Sequence, residues 1–322
     1  MSFTRKYHTA SVLSNDKVLV TGGFNGVHLD SAELYDPSTG IWISTGNMSF
    51  VRVYHAVSVL LNGKVIVIGG YNGTVYLNSA EIYDPSTGTW SKTANMSIAR
   101  GYHTASLLPN GKVLITSGYN TGYSRSTELY DPSTGMWMKT GNMTVARGYH
   151  TASVLLNGKV LVTGGFNGIY LNSAELYDPS TDIWISTGNM TVARYLHTAS
   201  VLPNGKVLVI GGYSDTGYLN SAEIYDPSTG TWTNTPNMTL ARGSHAATVL
   251  QNGNVLVMGG WNGIISWNNA VWYNLSTNNW ITVENMTIGR YWHTASILSN
   301  GVVLVSGGQN GSTVLNTAEL YG

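Results

Sequence analysis

The 322-residue chain has no cysteine, only four phenylalanines and only eight prolines. Without cysteine it can hold no disulfide framework, thiolate metal site or thiol nucleophile. Charge is sparse: 16 basic and 16 acidic side chains cancel and together make up 10% of the chain, so no net field draws nucleic acid or an anionic membrane. No apolar run approaches the roughly 18 residues of a membrane helix. The opening MSFTRKYHTA lacks the apolar stretch of a secretory signal. The chain therefore reads as soluble, with no compartment assigned. Sustained helical periodicity is also missing.

What the chain has instead is repetition. Tyr7-His8-Thr9 recurs in recognisable form at His55, His103, His150, His197, His245 and His293, at spacings of 47 or 48 residues. An arginine stands three residues before each: Arg5, Arg52, Arg100, Arg147, Arg194, Arg242 and Arg290. Each unit reads as four short strands. Strand A (HTASVL) is followed by a tight turn, usually Asn-Gly, whose two positive φ angles suit a hairpin. Strand B (KVLVTGG) is an unbroken apolar run that implies burial on both faces. Strand C (AELYDP) ends in Asp-Pro-Ser-Thr-Gly turn chemistry. Strand D begins at Trp42, Trp90, Trp137, Trp184, Trp232 or Trp280. A lone four-stranded sheet cannot cover its own faces, whereas a ring of them can.

The glycine pair closing strand B (Gly22-Gly23 and its counterparts), the strand C tyrosine and the strand D tryptophan together resemble the kelch family, over the whole chain. The expectation is an all-β, seven-bladed kelch-type β-propeller of four-stranded antiparallel blades in one domain, 1–322. Its repeats start near residues 1, 48, 96, 143, 190, 238 and 286. Strand D occurs only six times, so the last blade is expected to have three strands. Its open edge invites self-association.

Seven histidines in register suggest a metal ring, but strand side chains stand perpendicular to their sheet, so each is expected to face a neighbouring blade in a structural role. No metal or cofactor is assigned. The arginines have natural partners in Glu33, Glu81, Glu128, Glu175, Glu223 and Glu319. Blade six breaks this series with Val271, which leaves Arg242 or Arg290 a candidate for a ligand.

Strand parity puts the B-to-C and D-to-A connections on one face, and that face carries the variation among repeats. It is aromatic: Phe24, Tyr71, Tyr119, Phe166, Tyr213 and Trp261 follow the glycine pairs. Tyr7, Tyr54, Tyr102, Tyr149 and Trp292 precede the histidines, and Trp267 and Tyr291 add to blades six and seven. Rings with little charge can stack on a sugar or anchor a peptide. In kelch adaptors peptide ligands contact this face, and the resemblance marks Arg100, Arg147, Arg194, Arg242, Arg290, Tyr71, Tyr119, Tyr213 and Trp292. The family also includes a copper radical oxidase whose cofactor joins Tyr to Cys, which a chain without cysteine cannot form, and sugar mutarotases. The reading is a non-enzymatic recognition scaffold for a glycan or extended peptide. The alternatives are a mutarotase-type enzyme and a spacer without ligand.

Overall fold

In the computed structural model, which describes residues 1–322, the first repeat forms strands Thr9–Val12, Val18–Thr21, Ala32–Asp36 and Ile41–Ser44, antiparallel and hydrogen-bonded in that order. Five further repeats build the same four-stranded sheet. The seventh has three strands, Thr294–Ile297, Val303–Ser306 and Ala318–Tyr321. All regular elements are strands, and no helix is long and apolar enough to cross a membrane. Strand A of each blade lies beside strand A of the next, and Thr294–Ile297 returns to Thr9–Val12. The molecule is a closed seven-bladed propeller.

Burial follows strand rank. Every residue of strand B is buried, which is why those runs read as continuously apolar, while strand D forms the exposed outer rim. The core is a series of clusters between adjacent blades. Leu13, Leu19 and Ala32 of blade one meet Val65 and Tyr83 of blade two. The strand D tryptophans border these clusters from the rim, as Trp90 does beside Leu13, Leu19, Val65 and Tyr83. Of the six, only Trp184 is buried; each packs on the strand C tyrosine of its own blade, as Trp42 does on Tyr35 at 5.2 Å.

The left-handed backbone where strand B ends favours glycine, which stands there in six of the seven repeats. Gly164 has φ +62°, and a Cβ there would lie 2.5 Å from the Arg194 carbonyl. The third repeat places Ser117 at this point, also at φ 60°, and its hydroxyl lies 2.6 Å from the equivalent Arg147 carbonyl, a hydrogen bond that offsets part of the cost of the side chain there.

The ring closes on the N-terminus. The Met1 amine donates to the Asn316 carbonyl at 3.0 Å, Arg5 N–H to Leu315 O at 3.0 Å, and Ser299 N–H to Asp16 Oδ1 at 2.8 Å. The apolar seam beneath, Val18 and Tyr35 against Leu298 and Leu304, is the smallest inter-blade cluster.

Candidate functional site

Two connections of each blade meet on one face. Lys6 bridges to Phe24, Val53 to Tyr71, Gly101 to Tyr119 and Gly243 to Trp261, which joins D-to-A and B-to-C segments as strand parity requires. The repeated polar residues lie beneath this face and hold it in place. Arg5 donates to Glu33 at 2.7 Å and to the Gly22 carbonyl at 2.8 Å, and Ser2 N–H donates to the other Glu33 oxygen at 2.6 Å. The same pattern recurs in blades two to five and seven. Such buried pairs fix register more surely than they add stability.

The expectation that Arg100, Arg147, Arg194, Arg242 and Arg290 offer their charge to a ligand is therefore corrected. All five are fully buried, and Arg100, Arg147, Arg194 and Arg290 are each paired with a glutamate. Arg242 is the exception among the seven, yet it is not free either. Asn269 takes the place of the usual serine, and its Oδ1 accepts from Arg242 at 2.7 Å, while the Gly259 carbonyl accepts at 2.8 Å. Burial without a counter-ion pushes this guanidinium down to about 10.

The histidines face the preceding blade. His55 Nε2 lies 3.0 Å from Thr9 Oγ1, and His245 Nε2 lies 2.8 Å from Thr198 Oγ1. His103 and His293 lack that bond because Ala56 and Ala246 stand where the other blades have threonine. Burial holds His55 and His197 down to about 3, so these imidazoles are neutral. No group of three or more His, Cys, Asp or Glu side chains converges in a way that could hold a metal.

What the face presents is aromatic. The residue before each histidine has a left-handed backbone, φ 54–57° from Tyr7 through Trp292. Several are tied to one another around the channel mouth: Tyr102 N–H donates to Tyr54 O at 3.0 Å, and Trp292 N–H to Ser244 O at 3.0 Å. This strained geometry, adopted seven times, arrays the side chains as a ring. Tyr54 and Tyr102, and Tyr102 and Tyr149, stand 4.1 Å apart centroid to centroid; Tyr7 lies 4.5 Å from Tyr54 and 4.4 Å from Trp292. The result is a bowl of about 290 Å³ lined by Tyr7, Tyr54, Tyr102, Tyr149, Tyr195, Leu196 and Trp292, with no carboxylate. Burial, reinforced by neighbouring phenols, raises the Tyr7 and Tyr102 hydroxyls far above the usual range and pushes Tyr149 up to about 12, so the bowl is uncharged. One cation stands at its rim: Lys6 Nζ lies 5.1 Å from the Tyr7 and Trp292 rings and donates to Gln309 Oε1 at 2.6 Å.

A second, outer arc surrounds the bowl. Tyr71, Tyr76, Tyr119, Tyr123, Phe166, Tyr170, Tyr213 and Tyr218 follow one another edge to face or tilted, 4.8–5.8 Å apart. Both rings break in blade six, where Ser244 and Ser266 stand in place of aromatics. Trp261 stacked on Tyr291 at 5.1 Å, with Trp292 at 4.4 Å from Tyr291, flanks this gap.

The sequence reading thus located Tyr71, Tyr119, Tyr213, Trp261, Tyr291 and Trp292 on one face. It misplaced Trp267 by one register step. Ser266, not Trp267, bridges Trp261; Trp267 N–H donates to Gly260 O as Leu77 N–H does to Gly70 O, and its indole donates inward to the Ala241 carbonyl at 3.0 Å. Trp267 therefore fills the place of the buried loop leucines. Tyr7, Tyr54, Tyr102 and Tyr149 form most of the bowl, although the resemblance to adaptors did not single them out. Tyr195 was missed because it lies two residues before its histidine, where most repeats have Gly, Val or Lys.

No curated protein matches the chain in sequence. By fold it is similar to a fungal alcohol oxidase of the AA5 family solved in complex with copper, with a TM-score of 0.78 at 19% identity, over 95% of this chain and 70% of that one. At that identity the likeness concerns architecture alone. The sequence profile of the KLHDC2/KLHL20/DRC7 Kelch-repeats domain matches residues 2–165 and 138–308. With seven blades, a glycine pair, tyrosine and tryptophan in register, and a profile match along nearly the full length, this chain belongs to the Kelch-repeat family.

Proposed function

We propose that the protein is a non-enzymatic recognition scaffold that holds an extended polypeptide on the aromatic face, with an apolar or aromatic side chain of the ligand seated in the bowl. The observation that carries this reading is the bowl itself: seven lining residues, six of them aromatic, none acidic, arranged around the channel mouth. Acid/base chemistry on a sugar needs positioned proton donors and acceptors. The bowl's phenols are held protonated and no carboxylate lines it, which favours binding over turnover. The low wall at Ser244 and Ser266, flanked by Trp261, Tyr291 and Trp292, suits the path by which an extended chain leaves the bowl. Tyr71, Tyr119 and Tyr213 belong to the arc that bounds the site, and the buried arginines act only as its support.

A peptide-display library and a glycan array, each probed with the wild type and with Tyr102→Ala and Trp292→Ala, test the assignment. Stacking on an aromatic platform is worth about 1–3 kcal/mol per ring. Selected peptides should carry an aromatic or large aliphatic anchor and lose about tenfold or more in affinity for either variant. Peptides indifferent to both substitutions would remove the bowl from the function. Glycans retained in their place would reassign the ligand to a sugar, which the flat rings and hydroxyls also suit.

A further inference from the structure

The tyrosines at the channel mouth are arranged for covalent chemistry of their own, whatever the bowl holds. The chain has 20 tyrosines and no cysteine. It therefore has no thiol to form a staple or to quench a radical, and its phenols stand among the groups that a one-electron oxidant meets.

Tyr54, Tyr102 and Tyr149 are half-buried, and all three line the bowl. Tyr102 stands between the other two, with ring centroids 4.1 Å apart and ring planes 31° apart on either side. These are the shortest and most nearly parallel of the contacts between tyrosines. Tyr7 and Tyr54 lie at 4.5 Å and 51°, Tyr213 and Tyr218 at 4.8 Å and 81°, and Tyr149 and Tyr195 at 5.6 Å and 88°. The backbone holds the three rings together. All three residues have φ of 56–57°, Tyr102 N–H donates to Tyr54 O at 3.0 Å, and Tyr149 N–H donates to Tyr102 O at 3.2 Å. Groups held in contact react as though their concentration were far above any reached in free solution.

We propose that Tyr102 is a radical cross-linking site, joined ring carbon to ring carbon with Tyr54 or Tyr149 by the action of a one-electron oxidant. Each phenol of the pair gives one electron to an oxidant molecule and its hydroxyl proton to water. The two phenoxyl radicals carry spin on the carbons beside their oxygens, and those carbons form the new bond. Each ring then passes the hydrogen displaced from that carbon to its oxygen and is a phenol again. The pair loses two electrons and two protons in all, and two oxidant molecules are reduced. The bond ties blade three to blade two or to blade four, across 48 or 47 residues of chain. In a chain without thiols it does what a disulfide does elsewhere, removing freedom from the unfolded state.

The test oxidises the dilute, folded protein with tris(bipyridine)ruthenium(III), generated by light in the presence of persulfate. The expected product is a monomer lighter by two hydrogens, with the blue emission of a biphenol and a cross-linked peptide that pairs Tyr102 with Tyr54 or Tyr149. Its melting midpoint should rise by about 5 °C. Tyr102→Phe should abolish the cross-link within the monomer, and Tyr54→Phe should direct it wholly to Tyr149. Both variants keep the stacked ring and should melt with the wild type before oxidation. A cross-link spread over other tyrosines, one formed only between molecules, an undiminished yield in Tyr102→Phe, or an equal yield and the same map from the chain unfolded in urea overturns the proposal.

Discussion

Blade six contains a natural lesion whose repair has a calculable effect. In its neighbours a glutamate pairs with the buried arginine and also accepts one or two backbone N–H groups, as Glu33 does from Ser2 at 2.6 Å and Phe3 at 3.3 Å. Val271 supplies neither, and Asn269 gives Arg242 an uncharged acceptor at 2.7 Å. The paired change Asn269→Ser with Val271→Glu recreates the arrangement of the other blades. Hydrogen bonds to charged groups contribute about 1.5–3 kcal/mol each, and removing one partner of a buried pair costs about 3–5 kcal/mol. Desolvating the new carboxylate takes back part of that gain, which leaves about 2 kcal/mol of added stability. Because each kcal/mol moves the midpoint about 2–4 °C in domains of 150–250 residues and less in longer ones, a rise of about 4 °C is expected. The reverse experiment sharpens the test. Glu81→Val alone should cost about 3–5 kcal/mol, and adding Ser79→Asn should restore a good part of it. Urea denaturation and thermal scans read both. A lower midpoint in the repaired blade six, or no rescue in blade two, would refute the argument that the missing carboxylate weakens this blade.

The same periodic comparison yields further expectations. Ala56→Thr should offer His103 Nε2 the hydroxyl that His55 finds in Thr9 and add about 1 kcal/mol, read from the urea midpoint at pH 7.5. The buried imidazoles have folded pKa values below their unfolded value of about 6.5, so the unfolded chain takes up protons first. Stability is therefore complete above about pH 6.5 and declines as pH falls toward 3, by up to about 1.4 kcal/mol per pH unit for each of His55 and His197; a flat urea midpoint between pH 7 and 5 would contradict this. Gly164→Ala should destabilise by about 2 kcal/mol or more, since its Cβ would lie 2.5 Å from a carbonyl at φ +62°. Gly168→Ala, with nothing within 4 Å, should show the smaller cost of the dihedral alone, and equal losses at the two sites would dismiss the clash.

The ring architecture was legible because each blade restates it: turn residues, the apolar strand B and the strand D tryptophan recur at fixed spacing, and the tryptophan's six occurrences against seven strands B mark the three-stranded blade. The Arg–Glu pairing was legible too, since both series share one period, and that same observation argued against free arginines. The resemblance to adaptors pulled the other way, and burial decides the matter. The bowl was only half visible. Its tyrosines stand out in sequence, but their convergence depends on a left-handed backbone before each histidine, which no residue preference announces for Tyr, Leu or Trp. Trp267 was misread for a simpler reason: blade six keeps the loop length of blades two and five, but Ser266 takes the place of Tyr76 and Tyr218, and the nearest ring, Trp267, stands one residue on at the place of Leu77 and Leu219.

The closure of the circle through Met1, Arg5 and Asp16 has a bearing on biogenesis. Blade one is synthesised before blade seven, so the residues that cover one of its flanks, Leu298 and Leu304, reach it only after the five blades between them have been made. Until then strands Val18–Thr21 and Ala32–Asp36 keep an apolar side, Val18 and Tyr35, uncovered. That flank stays sticky while blades two to six are made, which makes it the natural point for a chaperone to hold.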